Sequence, residues 1–259
     1  MLAKFRKAKQ PEIARLAAAQ AKGLLPEIYA GPRPDFGAAL RNAAGIAIIA
    51  EYKRASPSRG AIRLDLAAGD VALGYERGGA AAMSVLTESH WFGGDIAFLE
   101  QCRQACGLPL LRKDFIFDPL QVAATGATPA SALLLIARML PDAATLAALR
   151  RQTEELGMAA VVEVFDAADL ALARASGAGI IQVNARDLAT LAVDRNACLD
   201  LIGAAGDRTG ELWIAASGMQ NAADLAQAEA AGYDAALIGG ALMDKPDPGQ
   251  ALAELRRRP

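Results

Sequence analysis

The chain has 259 residues, of which 53% are apolar and 5% aromatic, with a formal net charge of −2. That length accommodates one large α/β domain or two small ones around a substantial core, and the near-neutral balance argues against a general nucleic-acid binder or a partner of anionic membranes. No stretch reaches the roughly 18 apolar residues that a membrane span requires, and the charged, amphipathic N-terminus lacks the pattern of an export signal, so a cytoplasmic protein is expected.

Residues 2–22 predict a helix interrupted at Pro11, and Asp35 opens a second helix after the turn Gly31-Pro32-Arg33-Pro34. Both precede the first clear strand, so residues 1–45 read as an N-terminal helical extension of a single domain spanning 1–259. The first strand starts at Ile46 and runs into the turn-rich Ser56-Pro57-Ser58-Arg59-Gly60. Alternation along it puts Glu51 and Lys53 on one face and Tyr52 and Arg54 on the other. An acid and an amine at the end of an apolar strand require a pair, a cleft or a ligand, because an unpaired buried charge costs several kcal/mol.

Residues 65–78 are helix-like, and a second strand, 83–88, ends at Glu88. A loop, 89–95, carries His90, the only histidine, which reads as lying outside the chemistry; acid–base work must then rest on carboxylates and lysines. A helix over 96–106 contains Cys102 and Cys106, one helical turn apart. With Cys198 they make three cysteines, too few and too irregular for a disulfide framework or a metal set, and they read as core. Further strands follow at 109–115, 132–136, 159–164, 180–184, 212–216 and 235–239. Helices are expected near 141–156, 167–176 and 249–257.

Eight short apolar strands alternating with helices imply right-handed βαβ units. At this length they fit a closed (β/α)8 TIM barrel. An open doubly wound sheet would want a glycine-rich phosphate turn after its first strand, and Ser-Pro-Ser-Arg-Gly is not one.

The polar residues gather at strand ends: Glu51 and Lys53, Glu88, Lys113, Glu163, Asn184, and Ser217-Gly218 after the seventh strand. In a parallel barrel these ends meet on the rim that carries the active site. Lys113 faces inward, as salt-bridge partner, phosphate ligand or general acid, while Arg112 and Asp114 face the surrounding helices. The acids lack a histidine or clustered aspartates at ligand spacing, so neither metal nor cofactor is expected. Gly218, Gly239 and Gly240 offer the backbone N–H groups that hold a phosphate in this fold.

The segments Ile48-Ile-Ala-Glu-Tyr-Lys-Arg-Ala-Ser-Pro-Ser58, Ser84-Val-Leu-Thr-Glu88, Leu111-Arg-Lys-Asp-Phe-Ile-Phe-Asp118, Val162-Glu-Val164, Val183-Asn-Ala-Arg-Asp-Leu188, Ala216-Ser-Gly-Met219 and Leu237-Ile-Gly-Gly-Ala-Leu-Met243 together resemble the indole-3-glycerol-phosphate synthase family. The resemblance implies a decarboxylating ring closure of 1-(2-carboxyphenylamino)-1-deoxyribulose 5-phosphate to indole-3-glycerol phosphate, in tryptophan biosynthesis. Lys113 would protonate the substrate's carbonyl oxygen. Glu163 and Lys53 would handle the dehydration, Glu51 and Asn184 would orient these groups and the substrate hydroxyls, and Ser217 would join them. Arg186 would face the carboxylate that is lost. Arg54 and Ser56 would touch substrate, and Phe92, Phe115, Leu134 and Leu188 would wall its aromatic ring, although each also suits the core. The expected partner is a phosphorylated small molecule, with no nucleic acid or membrane, and the chain is expected as a monomer or weak homo-oligomer.

The chain departs from the family pattern at Ala216, where an acid is usual, and at Thr128-Pro129, where the family pattern has Asp. A non-catalytic or specialised phosphate-binding paralogue is therefore the competing reading. A phosphoribosylanthranilate isomerase fits less well, since its reaction needs a different acid–base set.

Overall fold

The structure is a computed structural model that describes residues 2–187 and 190–257. Ten strands follow in chain order: β1 (Ala47–Tyr52), β2 (Ala55–Ser56), β3 (Gly60–Ala61), β4 (Ala82–Leu86), β5 (Leu110–Lys113), β6 (Ala132–Ile136), β7 (Ala159–Val164), β8 (Ile180–Asn184), β9 (Leu212–Ala216) and β10 (Ala235–Ile238). Eight of them close a barrel in the order β1-β10-β9-β8-β7-β6-β5-β4, and each neighbouring pair is parallel. The expected (β/α)8 barrel is the observed fold. β2 and β3 form a small antiparallel hairpin in the loop after β1, which the turn-rich sequence did not announce.

Strands covered on both faces need apolar side chains on both, and these have them. Ile49, Leu111, Leu134, Val161, Ile180, Ile214 and Leu237 point inward with the small Ala47, Ala82, Ala132, Ala216 and Ala235. Mixing large and small residues fills the barrel as a solid plug. Their neighbours Ile48, Ala50, Val85, Leu110, Leu133, Val162 and Trp213 point outward to the helices. The short helix Phe36–Arg41 places buried Phe36 and Leu40 against the inner cluster.

Six helices from residue 119 onward start where the chain supplies a side-chain cap. Asp118, Asp142, Asp166, Asp194, Asn221 and Asp247 each accept a hydrogen bond from a backbone N–H in the first turn. Helices Pro119–Gly126, Arg195–Gly203 and Ala222–Ala230 were expected from alternation alone, without positions. Their Asp-Pro, Asp and Asn caps were the legible signal. The loop expected at 89–95 holds a short helix, Ser89–Phe92, capped by the Glu88 carboxylate. No helix among the described residues is long and apolar enough to cross a membrane.

The first helix, Leu2–Ala21, runs unbroken through Pro11. Proline there removes the hydrogen bond to the Lys7 carbonyl, but both residues are exposed, so water can satisfy that carbonyl and packing on either side holds the helix. Phe5, Lys9 and Leu16 are its buried residues. Lys9 Nζ lies 2.8 Å from Asp114 Oδ1, and Asp114 Oδ2 accepts from Arg112 at 3.0 Å and from Thr87 Oγ1 at 2.7 Å. Arg112 is further held by Thr125 Oγ1 at 2.7 Å and faces Glu12 at 3.4 Å. Arg33 fastens the segment that follows, donating to the carbonyls of Tyr29, Gly126, Thr128 and Ala130. Arg112 and Asp114 thus serve packing, as their outward direction implied, and their partner is the N-terminal helix.

Candidate active site

The carboxyl ends of the barrel strands open into one cavity of about 570 Å³. Glu51, Lys53, Ser56, Phe92, Lys113, Phe115, Leu134, Glu163, Asn184, Arg186, Ser217, Gly218, Gly239 and Gly240 all line it. Arg54 does not. Its outward position turns the guanidinium over the Phe98 ring, 5.6 Å from the centroid, and onto the Leu64 carbonyl at 3.0 Å. Arg54 thus braces the loop after β1. Leu188 lies outside the described residues, and His90 does not line the cavity.

The centre of the site is Glu51. Its Oε1 accepts from Lys53 Nζ at 2.9 Å and its Oε2 from Lys113 Nζ at 3.0 Å, so one carboxylate spans two ammonium groups. Burial by itself would push the Glu51 carboxyl up, but the two lysines outweigh it and hold it at about 2. Two lysines this near one another would by themselves depress each other's proton affinity. Lys113 is instead raised: burial lowers it, but Glu51 and Glu163 more than offset that. For Lys113, attraction to the bridging carboxylate and to Glu163 outweighs burial.

Glu163 is also buried, and burial raises its carboxyl above the usual range despite the nearby Lys113 and hydrogen bonds from Asn184 and Gln182. Two carboxylates on one rim are thus driven in opposite directions by their surroundings, the arrangement that separates an orienting anion from a proton acceptor. Asn184 Oδ1 accepts from Ser217 Oγ at 2.7 Å and from the Arg186 backbone N–H at 2.9 Å. Ser217 has φ of 70°, a left-handed conformation that costs a non-glycine residue about 1 kcal/mol or more. Its hydroxyl bond to Asn184 is what that geometry secures. Arg186 lines the cavity with one guanidinium nitrogen on the Leu191 carbonyl at 2.8 Å, leaving other donors for a ligand.

One wall is aromatic. Phe115 stacks on Phe5 with ring centroids 3.9 Å apart, Phe92 lies 6.3 Å from Phe115, and Trp91 meets Phe5 edge-on at 4.7 Å. Phe5, from the N-terminal helix, was not expected in the site; a helix that far upstream in sequence gives no sign of where it docks. On the opposite side are Ser56, Ser58, Arg59 and Lys245, beside the Gly218 and Gly239-Gly240 turns. Arg59 Nη1 pairs with Asp244 Oδ2 at 2.7 Å, and a methyl group on Gly240 would come within 3.5 Å of that nitrogen. A cation therefore stands beside the glycine turn, where backbone donors alone had been expected. Its signal was Arg59 within the Ser-Pro-Ser-Arg-Gly segment.

Gly239 does more than turn the chain. A methyl group on it would lie 2.3 Å from Glu51 Oε1, so the glycine leaves the space that the bridging carboxylate fills. Gly239→Ala should force Glu51 off its two lysines and lower kcat by about 10²-fold, the usual effect of moving a catalytic group by an ångström. Steady-state kinetics on the folded variant measures it, and turnover unchanged from the native protein would contradict it.

The family comparison agrees with this geometry. A model of the family "Indole-3-glycerol phosphate synthase" matches residues 2–255. A protein of Streptomyces coelicolor named "Indole-3-glycerol phosphate synthase 2" is 42% identical over 95% of both chains. Indole-3-glycerol phosphate synthases of Mycobacteroides abscessus and Aromatoleum aromaticum are 45% and 43% identical, covering 87% and 88% of this chain and 82% and 87% of theirs. Among solved structures, one described as "Native KDPGal structure" aligns with a TM-score of 0.57 at 16% identity, covering 82% of this chain and 92% of that one, a likeness of fold alone.

Proposed function

The chain belongs to the indole-3-glycerol phosphate synthase family, and on that premise we propose how its rim residues carry out the decarboxylating ring closure. The protein is an enzyme, a carboxy-lyase that converts 1-(2-carboxyphenylamino)-1-deoxyribulose 5-phosphate to indole-3-glycerol phosphate with loss of carbon dioxide and water. The observation that carries the residue assignment is the Lys53–Glu51–Lys113 bridge facing a second buried carboxylate, Glu163, across one cavity.

In this reading the substrate's aromatic ring lies against Phe115, Phe92, Phe5 and Leu134. Its phosphate sits at the other end of the cavity, held by backbone N–H groups of Gly218, Gly239 and Gly240 with Arg59 nearby. The ring carbon bearing the carboxylate attacks the carbonyl carbon, and Lys113 delivers a proton to the oxygen as negative charge develops there. Glu51 supports that step by keeping Lys113 protonated and aimed. The Arg186 guanidinium grips the carboxylate by charge-assisted hydrogen bonds until carbon dioxide leaves and the ring regains aromaticity. Glu163 then accepts a proton while Lys53 donates one to the departing hydroxyl, which leaves as water. Asn184, fixed by Ser217, orients Glu163 and a substrate hydroxyl.

Ala216 is fully buried in the plug, in register with Asn184 and Leu237. The usual acid there would add an anion near the lysines, but Glu51 already contacts both. What the alanine removes is one acceptor for a substrate hydroxyl. Turnover, followed by indole fluorescence on the purified protein, is expected for the native chain. Ala216→Glu should raise kcat/KM by about 1–2 kcal/mol of transition-state stabilisation. If both proteins bind substrate and neither turns it over, the non-catalytic reading replaces this one.

A further inference from the structure

Gln182 stands on β8 with its side chain directed into the barrel, in register with Glu163 on β7 and Ile214 on β9. It is completely buried, and it is not among the residues that line the cavity. The interior around it is filled by Val161, Ile180, Ile214 and similar apolar side chains. A leucine or methionine would pack there without carrying an amide into an apolar plug. The amide makes one hydrogen bond, Nε2 donating to Glu163 Oε2, and its Oε1 has no partner among the described residues. Leaving a buried carbonyl oxygen unsatisfied is unfavourable, so the bond to Glu163 is the feature that accounts for glutamine at this position.

We propose that Gln182 is a positioning residue for Glu163, holding the carboxylate from inside the barrel so that it faces the substrate as an ionised proton acceptor. This rests on the reading of Glu163 as the base. Other groups act on Glu163 from every side: Lys113 on β5, Glu51 on β1, Asn184 on β8, and the Cys198 thiol from the helix behind β8. Among them, Gln182 and Asn184 hydrogen-bond to Glu163 from the same strand, one from beneath and one at the rim. Asn184 is shared with Ser217 and the Arg186 backbone, whereas the Gln182 amide serves Glu163 alone. A donor to the ionised form favours that form. Without it the burial that already raises Glu163 acts with less opposition, and the carboxyl takes up its proton at a higher pH.

The test is the pH dependence of turnover in Gln182→Met, which keeps the volume and removes the amide. The expected result is a fall in kcat of about 10–100-fold with KM nearly unchanged, since Gln182 does not reach the cavity. The acid limb of the kcat profile should move up by about one pH unit. An unmoved acid limb overturns the proposal, whether turnover is native or has fallen together with thermal stability, because the latter reports packing alone. Should Gln182→Met not fold, Gln182→Leu provides the same reading: it also removes the amide donor from Glu163 and must raise the acid limb, and an unshifted limb again overturns the proposal. Glu163→Gln is measured alongside. If that variant keeps native turnover, the base assignment itself has failed; if it is inactive while Gln182→Met is native in rate and pH profile, only the role of Gln182 has.

Discussion

Lys113→Ala is expected to lose about 10²–10⁴-fold in turnover, the range general acid catalysis contributes, while retaining the native fold. Lys113 is only partly exposed, with its ammonium 3.0 Å from Glu51 Oε2. In the alanine variant Glu51 keeps its other partner, Lys53, at 2.9 Å, so the remaining carboxylate is still paired and the barrel is not left with an isolated buried charge. The loss therefore falls on chemistry. Lys113→Arg should not rescue it, because a guanidinium stays protonated and does not act as a proton donor near neutrality. Single-turnover kinetics with circular dichroism on the same sample decides the point. A folded Lys113→Ala protein at near-native rate would falsify the assignment.

Asp114→Ala should show the other large effect, on stability. Asp114 is buried and accepts from Lys9, Arg112, Thr87 and the Phe115 N–H, holding the N-terminal helix against the end of β5. Removing it leaves the buried Lys9 and Arg112 short of a counter-charge, which costs about 3–5 kcal/mol. Each kcal/mol lowers the unfolding midpoint of a chain this size by about 2–4 °C. KM should rise as well, since the same helix carries Phe5 into the aromatic wall. The pH dependence has a definite sign. Burial alone would raise the Asp114 carboxyl, but Arg112 and Lys9 hold it below its ordinary value, so its contribution is present above the unfolded pKa and lost as pH falls through the folded one. Thermal melts at neutral pH and in acid measure both effects. A native melting temperature for Asp114→Ala would show that the network contributes nothing net.

The barrel was legible because its strands are short apolar runs at regular intervals, and burial on both faces leaves that mark whatever lies between them. The rim was legible for a related reason: Glu51, Lys113 and Glu163 are charges at the ends of such runs, where a parallel barrel brings them together. Distances across the rim were not legible. That Glu51 touches both lysines follows from the closure of β1 against β4 and then β5, and no local pattern encodes it.

Arg54 is a different case. The alternation rule already turned it outward with Tyr52, and the motif resemblance overrode that rule; the structure follows the alternation. Phe5 and the Lys9–Asp114 pair were hidden because a helix docks through tertiary contacts whose partners lie far along the chain. Gln182 was hidden in plain view, a polar residue in an apolar run whose inward direction the strand period specifies. Gly239 was recognised for its backbone, while its second role, leaving room for Glu51, required the coordinates of both residues.

The most direct measurement follows carbon dioxide release and indole fluorescence together from one sample of 1-(2-carboxyphenylamino)-1-deoxyribulose 5-phosphate. One carbon dioxide per indole-3-glycerol phosphate is the expected result for the native protein, with both signals lost together in Lys113→Ala. Native protein that binds the substrate yet releases neither product, or a Lys113→Ala variant that still forms both, would contradict the assignment of this rim to the decarboxylating ring closure.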